Sequence, residues 1–367
     1  MGAAEGGEEP EALVISRWFD PPENGEPGGA TVVFTGHRNV PGGGSMKREV
    51  FSQEETIEPI PSGAGPVAIT TWVYGLRPGD WSVDAALVTP DRARSRQASE
   101  RPPGVHPAAW SWLRWRLTDA SATTSRTRWA LLAPLAATPA VLPGAYAVLA
   151  TLAFIVAVAT QASLAAASGL STGGSLAIST FAIVAGLAGA KAWYAVLHPG
   201  EPVLRGGWAV DGFLVLAPLA AILALHVLDW PIGPFLDAAT PGIFFGVAIG
   251  RVGCFLSGCC AGRVTSSRWG IWSSDRRLAA RRIPTQLIEA GFGLLIGTAS
   301  LWLVTRGILP GGLTFATAFV AYAVVRQALL RLRAERRLSP RTVPLTGATA
   351  GAMAAAALAL SLTHVGG

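Results

Sequence analysis

From about residue 130 onward, apolar residues come in long blocks separated by short polar or glycine-rich breaks. These blocks predict seven membrane helices, at roughly 141–163, 175–197, 207–228, 234–257, 284–305, 311–331 and 343–364. Each is close to the ~20 residues a helix needs to cross the hydrocarbon. Gly, Ala and Ser are frequent in them, as expected where helices approach closely in lipid. Pro143 and Pro241 fall near predicted helix starts, where proline is tolerated. The approach to the first block, with Pro134 and Pro139, reads as re-entrant or interfacial.

Upstream the pattern changes. "ATVVFTGH", "GPVAITTWVYGL" and "GDWSVDAALV" are short β-branched and aromatic runs divided by turn-rich "PPENGEPGG", "NVPGGGS" and "RPGD". They predict a small soluble β-domain within 12–90, of sandwich type. A basic stretch follows, in which Trp110, Trp112 and Trp115 interleave with Arg114 and Arg116. Indoles and arginines just before a span mark an interfacial segment. The expected division is therefore a soluble module at 1–97, an interfacial linker at 98–130 and a membrane domain at 131–367.

Composition agrees: of 367 residues, 50% are hydrophobic and 14% charged, which suits a multi-span membrane protein. The net charge of +6 is mostly loop arginine, fitting anionic lipid rather than nucleic acid. The N-terminus, "MGAAEGGEEPEALVISRW", has neither a secretory leader pattern nor a myristoylation site.

Five ionisable residues inside apolar blocks stand out: Lys191, Asp211, Arg251, Glu289 and Arg326. Such residues are costly in lipid and mark functional positions, although Lys191 and Arg326 could also snorkel to an interface. "GRVGCFLSGCCAGR", Gly250 to Arg263, holds all three cysteines of the chain beside two arginines. Cys254 reads as a small apolar filler, and Cys259 and Cys260 as candidate thiolates. Cys-x4-Cys-Cys is no zinc spacing and no histidine is near, so neither metal nor cofactor is expected.

Two resemblances add to this. "VYGLRPGDWSVDAAL" resembles the late-strand region of fibronectin type III domains, where a Leu-x-Pro-Gly turn precedes an aromatic strand. The second covers the whole membrane domain. "GIFFGVAIGRVGCFLSGCCAGR" followed by "RRIPTQLIEAGFG" is similar to prolipoprotein diacylglyceryl transferases. Their signature is Gly-Arg-x-Gly-Asn-Phe-x-Asn-Gly-Glu-x-x-Gly-Arg, then His-Pro-Ser-Gln-Leu-Tyr-Glu. Gly250, Arg251, Gly253, Phe255, Gly258, Gly262 and Arg263 match the first run. Pro284, Gln286, Leu287 and Glu289 match the second, and "AYAVVR" places the later arginine at Arg326. Cys254, Ser257 and Cys259 replace the two Asn and the Glu, Asp211 stands where the family has histidine, and Leu330 replaces an acidic residue.

The resemblance implies transfer of a diacylglyceryl group from phosphatidylglycerol to a lipoprotein-precursor thiol in the bacterial plasma membrane. Arg251 and Arg326 would clamp the phosphate, and Asp211 or Glu289 would act as base or arginine partner. Gly250, Gly253, Cys254, Ser257, Cys259, Gly262, Arg263 and Gln286 would line the substrate. The departures leave open a non-catalytic lipid-binding or scaffolding homologue and an inverted headgroup transferase working on the cytoplasmic leaflet. Sidedness is also open. Arginines crowd the face holding the N-terminus and the signature loop, which the positive-inside rule makes cytoplasmic, whereas the family resemblance turns that loop outward.

Overall fold

Strands and helices fall where the hydrophobic pattern changes period, giving an α-helical membrane protein with a β-rich N-terminal region. The computed structural model describes residues 11–21, 28–42, 45–88, 104–120, 124–200, 207–334 and 351. It divides into two units, residues 1–146 with 254–285 and residues 147–253 with 286–367. The sequence-based division ran in chain order. The units do not, because 254–285, expected within the membrane domain, folds with the N-terminal residues.

In the first unit, β1 (Glu11–Phe19), β4 (Val67–Leu76), β6 (His106–Ser111), β7 (Arg116–Asp119), β9 (Arg128–Trp129), β10 (Ile271–Ser274) and β11 (Leu278–Arg282) form one sheet. Its order is β10-β11-β4-β1-β6-β7, with β9 also on β1. A second sheet, ordered β3-β2-β5-β8, contains β2 (Gly28–Gly42), β3 (Ser45–Ile60), β5 (Asp80–Val88) and β8 (Thr124–Arg126). Every pairing is antiparallel. Alternation sets the inner faces: Leu13, Ile15 and Phe19 from β1 meet Val32 and Phe34 from β2 and Trp81 and Val83 from β5 in one core. Arg17 shares that inner face and donates to the Val83 carbonyl at 2.8 Å across the sheets.

The three strand runs expected from sequence are β2, β4 and β5. The stretch expected as an interfacial linker supplies β6 to β9, since its hydrophobic and polar residues find partners in both sheets. The signature loop likewise becomes the β10–β11 hairpin. Leu278 pairs with Ile69 and Ala279 with Ala68, and the Thr70 amide donates to the Arg277 carbonyl at 2.7 Å. Arg277 also pairs with Glu55, which accepts from Thr71 and Gln53.

The second unit is helical. Its elements are α1 (Ala145–Ala167), α2 (Thr172–Leu197), α3 (Val210–Val227), α4 (Ile232–Ser257), α5 (Thr285–Arg306) and α6 (Leu313–Leu330), the outer ends of α1, α4 and α5 lying in the first unit. All but α3 are long and apolar enough to cross a membrane, and the apolar part of α3, Gly212–Val227, is shorter. These six correspond to the first six predicted spans; the seventh, 343–364, lies outside the described residues but for residue 351.

Three contacts fix α4, α5 and α6. A Cβ at Gly293 of α5 would sit 3.1 Å from the Ala248 amide and 3.2 Å from the Phe244 carbonyl, so a larger residue would push this approach to α4 apart by a few tenths of an ångström. Phe244 meets Tyr322 of α6 edge-on, with ring centroids 5.5 Å apart. Near the start of α4, Asp237 accepts from the Gly312 and Phe315 amides at 2.8 and 2.9 Å. That carboxylate caps α6 where the helix leaves its first amides unpaired.

Candidate functional site

Asp237, Phe244 and Arg251 follow one another at seven-residue steps, which keeps them on one face of α4. With α6 pinned at Asp237 and packed at Phe244, the next step brings Arg251 to the polar centre of the bundle. Glu289 is one helical turn before Gly293 on α5, so the close approach there aims its carboxylate at Arg251.

Glu289 has no exposed side-chain surface, and its oxygens collect cations. Oε1 is 2.9 Å from Arg251 Nη2 and 3.4 Å from Arg326 Nη1, and it accepts the Tyr322 hydroxyl at 2.7 Å. Oε2 is 2.8 Å from Arg333 Nη2. All three arginines and Tyr322 are buried. Among these side chains, three guanidinium charges face one carboxylate. Guanidinium stays ionised in such a setting and presents forked donors that match carboxylate or phosphate.

Of the expected residues, Arg251, Glu289 and Arg326 therefore meet. Gln286, buried three positions before Glu289, shares its face of α5. Asp211 is the second residue of α3, but its side chain lies outside the described residues. Lys191 lies over the Trp208 indole at 4.7 Å and donates to the Gly207 carbonyl at 3.4 Å. Gly253 is buried, while a Cβ at Gly250 would meet nothing within 4 Å.

The rest of the signature belongs to the first unit and there has structural work. Gly258 takes φ +70° directly after α4, and the Cys259 amide donates back to the Cys254 carbonyl at 3.1 Å. This is the glycine-dependent stop that satisfies a helix's last carbonyls. Ser257 Oγ lies 3.5 Å from Cys259 Sγ. Cys254 is buried, and all three cysteines are reduced. The Cys254 side chain favours a Cys259 thiolate, but Cys260 and burial outweigh it and hold the thiol above its ordinary value.

Gly262, expected to line the substrate, takes part in the loop's own closure. Its carbonyl accepts from Arg282 at 3.0 Å, and a Cβ there would strike the Ile283 carbonyl. The Arg263 side chain is exposed, and its carbonyl accepts from Ile283. Among the described residues, no group of three or more His, Cys, Asp or Glu could hold a metal ion.

Sequence reading missed Tyr322, Arg333 and Asp237. A helical-spacing signal was available for the first alone: Tyr322 precedes Arg326 by four residues on α6, whereas Arg333 lies three residues past the end of that helix.

Comparison with known proteins gives the same direction. A family model described as prolipoprotein diacylglyceryl transferase matches residues 141–364. A phosphatidylglycerol–prolipoprotein diacylglyceryl transferase of Dehalococcoides mccartyi strain 195 is 33% identical over 143 residues, 38% of this chain and 55% of the relative. One from Clostridium tetani is 26% identical over 166 residues, 42% of this chain and 66% of the relative. One from the Wolbachia of Culex pipiens is 31% identical over 139 residues, 36% and 53% of the two chains. The matched stretch thus spans between about half and two thirds of each relative.

Proposed function

The chain belongs to the prolipoprotein diacylglyceryl transferase family, and we propose that it moves the diacylglyceryl group of phosphatidylglycerol onto a lipoprotein-precursor cysteine. One observation carries the reading: Arg251, Arg326 and Arg333 converge on Glu289 inside a bundle of membrane-crossing helices.

In this reaction the precursor sulfur attacks the glycerol carbon that bears the phosphate ester. A C–S bond forms, the C–O bond breaks, glycerol phosphate leaves and the thiol proton passes to a base. The arginines are assigned to the phosphodiester, whose leaving oxygen gains charge in the transition state; preorganised guanidinium donors favour that state over the bound lipid. Glu289 has both oxygens engaged by four donors, so its assigned role is to hold the arginine forks in place rather than to take a proton. The Tyr322 hydroxyl fixes the same carboxylate. Asp211 is kept as the proton acceptor, and the open space beside Gly250 as room for the headgroup.

The expected fibronectin type III-like sandwich is supported by the two sheets with one core and by the Leu76–Gly79 turn leading from β4 into β5. A seventh span at 343–364 is retained. β4 and β11 share a sheet and four helices separate them in the chain, so the module and the signature loop belong on one side of the membrane. The crowding of loop arginines has another explanation: Arg276, Arg277, Arg281 and Arg282 bind backbone carbonyls or carboxylates of the loop and module. We therefore assign both segments to the outward face of a bacterial plasma membrane.

The test is complementation of a strain depleted of its own transferase, with phosphatidylglycerol turnover by purified protein measured alongside. Rescue by the wild-type chain and failure of Arg251→Lys are expected. Phosphatidylglycerol binding without rescue or turnover would instead identify a lipid-binding homologue.

A further inference from the structure

The β unit carries large apolar side chains on its outside, and they are not scattered. Leu113, at the tip of the β6–β7 hairpin, is 96% exposed, and Trp112 beside it is partly exposed. A short 3-10 helix, Ala130–Leu135, buries Ala133 and turns Leu131, Leu132 and Leu135 outward, with Leu131 71% exposed. In water that amphipathy is inverted. Trp269, in the loop before β10, is 74% exposed.

Two of these elements are tied to the last turn of α4. Trp115 stacks on Phe255 with ring centroids 5.8 Å apart and planes 11° from parallel, and its indole donates to the Trp272 carbonyl at 3.0 Å. The chain leaving the 3-10 helix returns to the same turn, where the Leu142 amide donates to the Leu256 carbonyl at 2.7 Å. Because α4 is a membrane-crossing helix that ends at Ser257, this turn marks the level at which it leaves the hydrocarbon. The hairpin tip and the chain that follows the 3-10 helix are thereby tied to that turn. Arginines accompany them: Arg114 and Arg116 flank the hairpin tip, Arg126 and Arg128 precede the 3-10 helix, and Arg268 lies over Trp269 at 5.1 Å. Leucine and indole pointing outward among arginines is the composition of a surface seated in an anionic headgroup layer.

We propose that the β6–β7 tip and the Ala130–Leu135 helix of the N-terminal unit are membrane-embedded feet, inserted into the anionic leaflet around the end of α4. The inference uses the membrane reading but not the transfer reaction. The module lies on the lipid surface, with its hairpin tip among the headgroups beside the signature loop. An aqueous module joined by a linker would have no use for Leu113 or Leu131 in these positions.

The test uses the unmodified full-length protein in phosphatidylcholine vesicles with and without phosphatidylglycerol. Hydroxyl-radical footprinting reports contact with water, and a lipid carrying a carbene precursor at the top of its acyl chain reports contact with lipid. Expected are carbene adducts at Trp112–Leu113 and Leu131–Leu135, more of them with phosphatidylglycerol present, and radical labelling well below that of the exposed Val50 on β3. Radical labelling of Leu113 and Leu131 equal to that of Val50, without lipid adducts, would overturn the proposal. Protection from both reagents would overturn it too, and would assign the surface to a protein partner. Neither readout depends on transferase activity.

Discussion

The two ends of α4 each bury an acidic contact with a neighbouring helix, and they solve the problem differently. Near its start, Asp237 is answered by the backbone amides of Gly312 and Phe315. Near its end, Arg251 meets Glu289, which is answered by side chains alone: three guanidiniums and a phenol. Backbone donors cannot leave, so the Asp237 end is a fixed joint. Side-chain donors can turn toward a ligand and back, so the Glu289 end can exchange partners during a reaction. One helix thus carries a joint and a working end, two seven-residue steps apart.

The largest effects are expected at the working end. Glu289→Gln leaves three guanidiniums gathered around a neutral amide, and removing one partner from a buried ion group costs about 3–5 kcal/mol. Phosphatidylglycerol turnover in vesicles should fall by roughly 100-fold or more, as it should for Arg251→Lys or Arg326→Lys, which keep the charge and lose the fork. Turnover within a few-fold of wild type for all three would erase the distinction between the two ends.

At the joint, Asp237→Ala strands two buried amides at about 1–3 kcal/mol each. Thermal unfolding should move down clearly, with Asp237→Asn intermediate because it keeps one acceptor oxygen. The KM and the pH profile of the surviving enzyme should stay put. A changed pH profile would show that Asp237 takes part in proton transfer and is no joint.

Glu55 offers a smaller, graded case in the β unit. Burial opposes its charge, but hydrogen bonds from Thr71, Gln53 and Arg277 outweigh that and hold its carboxyl below the ordinary value. Its contribution is therefore complete above the unfolded carboxylate pKa, about 4.3, and is lost as pH falls through the lower folded value. Amide exchange in β11 should accelerate only in that acidic window, and Glu55→Gln should flatten the response. The smallest effect belongs to Gly250→Ala. With nothing within 4 Å of the added carbon, stability should rise by about 0.5–1 kcal/mol, the ordinary gain of alanine over glycine inside a helix. A rise in KM without loss of stability would place the lipid headgroup there.

The parts of the molecule that could be read from sequence were those governed by local pattern. Six apolar blocks became helices, and Arg251, Glu289 and Arg326 stood out because charge is rare in such blocks. Asp237 is as unusual but was passed over, since its partners are amides that carry no sequence mark. Arg333 lies three residues beyond the end of α6, where no helical spacing links it to Arg326. β3, with Lys47, Arg48, Glu49, Glu54 and Glu55, lacks the apolar alternation that reveals a strand because it lies at a sheet edge. The β10–β11 hairpin was invisible for another reason. Its partner strand is some two hundred residues earlier in the chain, and no local pattern announces a pairing of that range.

That long-range pairing also sets an order of events. As the chain emerges from the ribosome, β4 appears early and must wait for β11 while α1 to α4 are made and inserted. Until then one edge of β4 is open, and closing so long a loop is slow because its entropy is lost before any contact repays it. The module's sheet is therefore completed only after the fourth helix has crossed. A chain halted before residue 278 should expose a strand edge to proteases and to neighbouring chains, and one that passes it should seal that edge in a single step.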